Sequence, residues 1–457
     1  MHITKNDFDN YLILKYNMTP SNQFGGTFQV KPFRVEFSDH KLTGNAGLVH
    51  LGRFAKKLGV QEILERRLSI SRGENATYDV PLLLSMLMMG ALSGVKHLSQ
   101  MLILKKDGAL RKLFGWDAFP HDSTLGRVFK RFSHCHCQEL AEAEGEARQK
   151  VWSKKWFGSL TLDLDSSVRG VYGSQEGAAK GYNPHKKGQK SYHPLFCFVA
   201  QNRECLHNWF RAGDAYSANG AAEFIKECYS RLPKRVWKII WRADCAFFDG
   251  KSMDVIEERQ GQYLFKVSLR GLAKLLMAQA WRPLRRRPGW EGTEFEYACQ
   301  GWKRARRFVA LRRLVREDSE GRLFSQPQYE FFCYVTNLDL TPWKAHQFYG
   351  KRATSENWIA WCKNQMAAGS ILTQDFWANS ALFQTCILAY NLLAWMMWLT
   401  TKKGFREEPQ TIRAWLIKTP GRLIKGGRRL TLKLPRDYFF KEQWEQLESS
   451  LTALAWA

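Results

Sequence analysis

Tyr349, Arg352, Glu356 and Lys363 are spaced three, four and seven residues apart, which on a helix sets all four on one face. A carboxylate between two cations can hold a divalent metal ion while the guanidinium and ammonium groups hold phosphates. A solvated face with an ordinary Arg–Glu pair is the plain alternative. Two upstream aspartates weigh against that alternative. Residues Ser159 to Ser166 alternate, with Leu160, Leu162 and Leu164 on one face and Thr161, Asp163 and Asp165 on the other. Two carboxylates on one strand face call for a nearby cation. A second apolar run, Val236 to Trp241, leads into Asp244, and an acidic residue at the C-terminal end of a strand sits where α/β sheets place their chemistry.

Asp165, Asp244 and Glu356, converging at one sheet edge, would hold two Mg²⁺ or Mn²⁺ ions. Such a pair activates a water or 3′-hydroxyl and stabilises the leaving oxygen in phosphodiester displacement. Arg352 and Lys363 would then clamp phosphates, and Tyr349 would hydrogen-bond a phosphate or the terminal nucleotide. The strand face alone permits either Asp163 or Asp165 as the first ligand.

The elements needed to position these groups fall into an α/β order. Residues 1–45 read as an irregular arm and 46–155 as a helical DNA-binding domain. Within the latter, Asp79 and Pro81 open an apolar helix from Val80. His121 to Thr124 cap a second helix, Leu125 to Phe132, whose basic face carries Arg127 and Lys130 and resembles a recognition helix. Strand texture begins near 156 and forms a catalytic core over 156–248 and 344–400. A β-rich basic insertion occupies 249–343, and a basic C-terminal region with a terminal helix fills 401–457. Between Gly170 and Lys190 a glycine-rich loop offers Lys186, Lys187 and Lys190 to DNA; it lacks the spacing of a nucleotide-binding P-loop. The stretch Trp281 to Arg316 holds eleven basic residues against Glu291, Glu294 and Glu296. Trp281, Trp290 and Trp302 are interleaved there, as base-stacking or core residues.

Composition names the partner class. The chain has 69 basic and 43 acidic residues, a net charge of +26, and phosphate backbones reward each neutralised contact. Lys5, Asp7, Asp9 and Lys15 interrupt the start of the chain, arguing against a secretory signal. The apolar run Ala381 to Leu399 includes Gln384, Thr385 and Asn391 and reads as a core helix. Ten scattered cysteines suit a reducing, cytoplasmic setting. The tract His134 to Cys137 is too compressed to close a zinc site.

The spacing Tyr-x2-Arg-x3-Glu-x6-Lys resembles the signature of IS4-type insertion-sequence transposases, most closely their IS1380-like branch. The runs Asp163-Leu164-Asp165-Ser166-Ser167, Tyr172 to Ala178, Ser191-Tyr192-His193-Pro194-Leu195, Arg242 to Phe248 and Ala389 to Leu393 resemble that branch's blocks. The resemblance implies a ribonuclease H-like core carrying a mostly β insertion, with Asp165, Asp244 and Glu356 as the metal-binding triad. Its Asp-Ser-Ser run favours Asp165 over Asp163. It also implies cut-and-paste transposition by a homodimer on paired DNA ends, with a tryptophan of the insertion holding a flipped base. A catalytically silent end-binding protein, and a nuclease that cuts without joining, are the competing functions.

Overall fold

The computed structural model describes residues 34–73, 76–183, 186–233, 236–316, 328–370 and 373–456. Most of the expected N-terminal arm and the loop residues 184–185 lie outside them. A two-residue strand β1 (Leu42–Thr43) comes first, and the main run of strands begins at β2 (Ser159–Ser166). After it come β3 (Arg169–Gly170), β4 (Ala179–Lys180), β5 (Lys190–Tyr192), β6 (Leu195–Val199), β7 (Cys205–Trp209), β8 (Lys238–Ala243) and β9 (Gln262–Lys266). The insertion adds β10 (Arg282–Pro283), β11 (Trp290–Tyr297), β12 (Arg306–Arg316) and β13 (Gln328–Thr336). Near the C-terminus lie β14 (Gly421–Gly426) and β15 (Arg429–Lys433).

Nine of these strands form one mixed sheet in the order β10-β11-β12-β13-β9-β8-β2-β6-β7. Its centre is parallel, β2 beside β8 and β8 beside β9, and both flanks are antiparallel. The insertion therefore extends the core sheet through β13 and β9. The stretch between β2 and β6, expected as a loop, instead folds into a small sheet of β3, β5 and β4. Its strands of two and three residues are too short to leave a readable alternation.

The helices used below are α1 (Leu48–Leu58), α2 (Val60–Arg67), α3 (Val80–Ser93), α4 (Asp122–Phe129), α5 (His134–Trp152), α6 (Ala221–Ser230), α7 (Gly250–Glu258), α8 (Pro342–Gly350), α9 (Ala353–Gln365), α10 (Phe376–Thr400) and α11 (Lys441–Ala453). The capping signals act as expected at α3, where the Asp79 side chain accepts from the Leu82 N–H at 2.7 Å. Helices cover both faces of the sheet. On one, the Phe348 carbonyl of α8 accepts from Arg242 at 2.8 Å and Trp358 of α9 packs on Phe198. On the other, Phe224 of α6 stacks on His207, and Glu257 of α7 accepts from the Tyr263 hydroxyl.

Helix α10 is long and apolar enough to cross a membrane, yet 89% of its most apolar window is buried within the protein. Asn391 explains its place in the core. The amide bonds the backbone of Cys205 in both directions, at 2.8 and 2.7 Å, and also reaches Glu144 of α5. Glu204 is fully buried and accepts from Arg148, Trp152, Asn202 and Trp395. This polar knot ties α5, α10 and the β6–β7 turn together. Segments near both chain ends are stitched as well: β1 pairs with β14, and Lys57 of α1 bonds the carbonyls of Thr452 in the last turn of α11 and of Leu454 just after it. Residues 40–457 pack as one unit, and the helices between 48 and 152 belong to it.

Candidate active site

Strands β2 and β8 run parallel with Asp163 opposite Arg242. The two lie on one face, and Arg242 donates to both Asp163 oxygens, Nε to Oδ1 at 2.7 Å and Nη2 to Oδ2 at 2.8 Å. Asp163 is fully buried and both of its oxygens are engaged. Two residues on, Asp165 reaches the sheet's edge. Its Oδ1 accepts the Ser166 N–H at 2.8 Å, and its Oδ2 lies 2.8 Å from Arg352 Nη2. Burial pushes its carboxyl up to about 7; Arg352 opposes that rise, while Asp244 and Glu356 add to it. Asp244 and Glu356 thus sit within electrostatic reach of Asp165, the two aspartates at the C-terminal ends of the adjacent parallel strands β2 and β8 and the glutamate on α9.

The pair Arg352–Asp165 affects its partners in opposite senses. The guanidinium is held more firmly protonated, whereas the carboxyl rises because burial and two like charges outweigh one cation. The carboxyl side governs, since arginine stays charged at any accessible pH. Among the described residues no three His, Cys, Asp and Glu side chains form a ready metal cage. Asp165 is capped by Arg352, Asp244 Oδ1 accepts the Ala246 N–H at 3.0 Å, and Glu356 stands in solvent. The donor set itself, three carboxylates of which one is crowded by the other two, suits a hard divalent cation.

The four-residue motif does not lie on one uninterrupted helix. Tyr349 is the penultimate residue of α8, Arg352 precedes α9, and the junction tightens into i→i+3 turns, Arg352 N–H to Tyr349 O and Ser355 N–H to Arg352 O, both at 2.8 Å. At this junction Arg352 is 4% exposed, while Glu356 in the first turn of α9 faces out. The expected outward clamps are therefore turned toward protein. Lys363 donates to Ser167 Oγ at 2.9 Å and the Val168 carbonyl at 2.7 Å, pinning the chain as it leaves β2. Burial and nearby Arg169 lower its pKa. Tyr349 packs on Tyr334, and burial raises its phenol's pKa.

His193 belongs to the same edge. Its Nδ1 lies 2.5 Å from the Ala215 carbonyl and so carries a proton, which leaves Nε2, 3.1 Å from Ser166 Oγ, to accept in the neutral ring. Ser166 Oγ also lies 2.8 Å from Ser217 Oγ. Burial lowers the imidazole pKa, and Asp244 pulls the other way.

The remaining expected contacts are spread widely. Lys186, Lys187 and Lys190 are exposed on the small sheet and its loop, and Lys186 Nζ bonds the Tyr172 hydroxyl at 2.9 Å. Arg127 on α4 and Lys130 just after it are exposed, remote in the chain from the carboxylates. The three insertion tryptophans are committed to packing: Trp281 against Phe331, Trp290 against Phe332 and Trp343, Trp302 against Phe248 and Phe308. The strongly exposed aromatics lie elsewhere and include Tyr172, Tyr182 and Tyr216. Arg242 and Ser166 received no role from the sequence. The signal for Arg242 was its place two residues before Asp244, on one strand face.

Residues 26–456 match the family model "Transposase DDE domain group 1". The chain belongs to the DDE transposases. Among solved structures it is similar to a piggyBac transposase synaptic complex with hairpin DNA, with a TM-score of 0.41 and 11% identity, covering 81% of this chain and 79% of that one. No curated protein matches the sequence.

Proposed function

We propose that this protein is the transposase of an IS4-type insertion sequence, of the IS1380-like branch, which binds the terminal inverted repeats of its element as a homodimer in the cytoplasm. It cuts at the element's ends and uses the freed 3′-hydroxyls for strand transfer. One observation carries the reading: Asp165 is crowded by Asp244 and Glu356 at the C-terminal ends of β2 and β8, while Asp163 is locked by Arg242.

Asp165, Asp244 and Glu356 are the residues that would hold Mg²⁺ or Mn²⁺. When bound, the metal supplies a polarised nucleophile and a stabilised leaving oxygen. Arg352 keeps Asp165 oriented before DNA arrives, and a phosphate entering beside it competes for the same guanidinium. Lys363 fixes the turn after β2, so that Asp165 presents its carboxyl at a constant place. Lys186, Lys187, Lys190, Arg127 and Lys130 supply backbone contacts, with α4 in a groove-reading role.

The test is incubation with labelled DNA bearing the element's own ends and Mg²⁺ or Mn²⁺, resolved on denaturing gels. Metal-dependent cleavage followed by a joined product is expected, both lost in Asp165→Ala. Absence of any metal-dependent product would leave a binding protein, and cleavage without joining would leave a nuclease.

A further inference from the structure

One aromatic beside the carboxylates is both exposed and rigidly mounted. Tyr216 has 68% of its surface open to solvent. Its neighbours on both sides are tied to the candidate catalytic edge: the Ala215 carbonyl to His193, and Ser217 Oγ to Ser166, the residue that follows Asp165. Its own carbonyl accepts from Arg211 Nη1 at 3.0 Å and from the Asn219 N–H at 3.0 Å. Arg211 is itself buried, and it donates as well to the His193 and Asn219 carbonyls.

The base of this loop is equally fixed. A Cβ on Gly213 would lie 1.9 Å from the Ser191 carbonyl, and one on Gly181 would lie 1.9 Å from the Gly213 carbonyl, so backbones meet here without room for side chains. The ring of Tyr216 thus stands in water on a scaffold that cannot easily yield. An exposed ring normally gives up ordering entropy when it binds, and a pinned backbone removes much of that loss. Tyr172 differs, because Lys186 lies over its ring at 5.5 Å and bonds its hydroxyl.

We propose that Tyr216 is a stacking platform for an unpaired nucleobase next to the phosphodiester held at Asp165. A phenol ring accepts any base through its π face, and buried Arg211 beneath the loop adds positive potential toward the flanking phosphate. The assignment rests on the proposed DNA chemistry at Asp165.

The experiment uses the full chain and DNA fragments carrying the element's terminal repeats, with the last three nucleotides unpaired and 5-iodouracil placed at one position at a time. After irradiation, the crosslink should map to the tryptic peptide of residues 212–226, on Tyr216. In parallel, Tyr216→Ala should weaken binding to the unpaired end by about tenfold, with Tyr216→Phe within about twofold of wild type and affinity for fully paired internal DNA unchanged. Crosslinks confined to other peptides, or equal losses in the Ala and Phe variants, would overturn the assignment. Failure of the wild-type protein to bind or cut the ends at all would instead remove the transposase reading beneath it.

Discussion

Two aspartates on one strand face have opposite fates, and the difference is one of partners. Asp163 holds a buried, bidentate Arg242, so Asp163→Ala strands a guanidinium in the core and should cost about 3–5 kcal/mol of stability. Asp165→Asn should abolish cleavage with a smaller effect on folding, because its amide oxygen still accepts from buried Arg352. Thermal melts beside the cleavage assay separate the two, and loss of activity in a fully folded Asp163→Ala protein would reverse their roles. The raised carboxyl of Asp165 makes a pH prediction. With a folded pKa of about 7 against an ordinary value of 3.8, the folded state binds more protons between those values, so this group's contribution to stability falls as pH rises through that window. Asn mimics the neutral form. The melting temperature of Asp165→Asn relative to wild type, in metal-free buffer, should therefore rise from pH 5 to pH 8, and a flat difference would mean that the carboxyl titrates normally. The strand and both carboxylates were legible in the sequence from alternation alone. Arg242's role was not, because the register of β2 against β8 joins residues far apart in the chain.

At the level of elements, the sequence was readable where a pattern ran long. Helix α10 was recognisable from its apolar run, and its interior Asn391 marked it as a core helix; the knot that Asn391 enters was not, since its partners on α5 and the β6–β7 turn are distant in sequence. Glu204→Leu should destabilise the protein by about 3–5 kcal/mol, because Arg148 loses one of its buried carboxylate partners and two indole N–H groups lose their acceptor. Urea denaturation monitored by tryptophan fluorescence measures this, and a change below about 1 kcal/mol would show the knot to be dispensable. The α8–α9 junction was misread as continuous for an instructive reason. Lys351 and Arg352 both keep right-handed helical angles, so nothing local in the sequence ends the helix. The junction instead carries two i→i+3 bonds, and its Arg352 is paired with Asp165, a partner far away in the chain. The β14–β15 hairpin was missed in a basic stretch even though β15 alternates Leu430 and Leu432 with Arg429, Thr431 and Lys433; both strands are short and β15 is mostly exposed, so the alternation marks no buried face.

Across the whole molecule, a charge of +26 should make DNA binding fall steeply with salt. Replacing both Lys186 and Lys187 with Ala should lower the slope of log K against log[salt] by about 2 if each meets a phosphate. Fluorescence anisotropy over a salt series reads this, and an unchanged slope would assign those lysines to bulk solvent. The sheet's continuity has a different consequence, one that concerns the time before the protein is finished. Asp165 and Glu356 are separated by roughly 190 residues, with the insertion strands β10–β13 made between them. At translation rates of about 5–20 residues per second, the first aspartate leaves the ribosome on the order of ten seconds or more before the glutamate. A chain released before residue 352 lacks both Glu356 and Arg352. On the proposed reading, such a product would keep basic segments able to touch DNA, so cleavage would wait on the nearly complete chain.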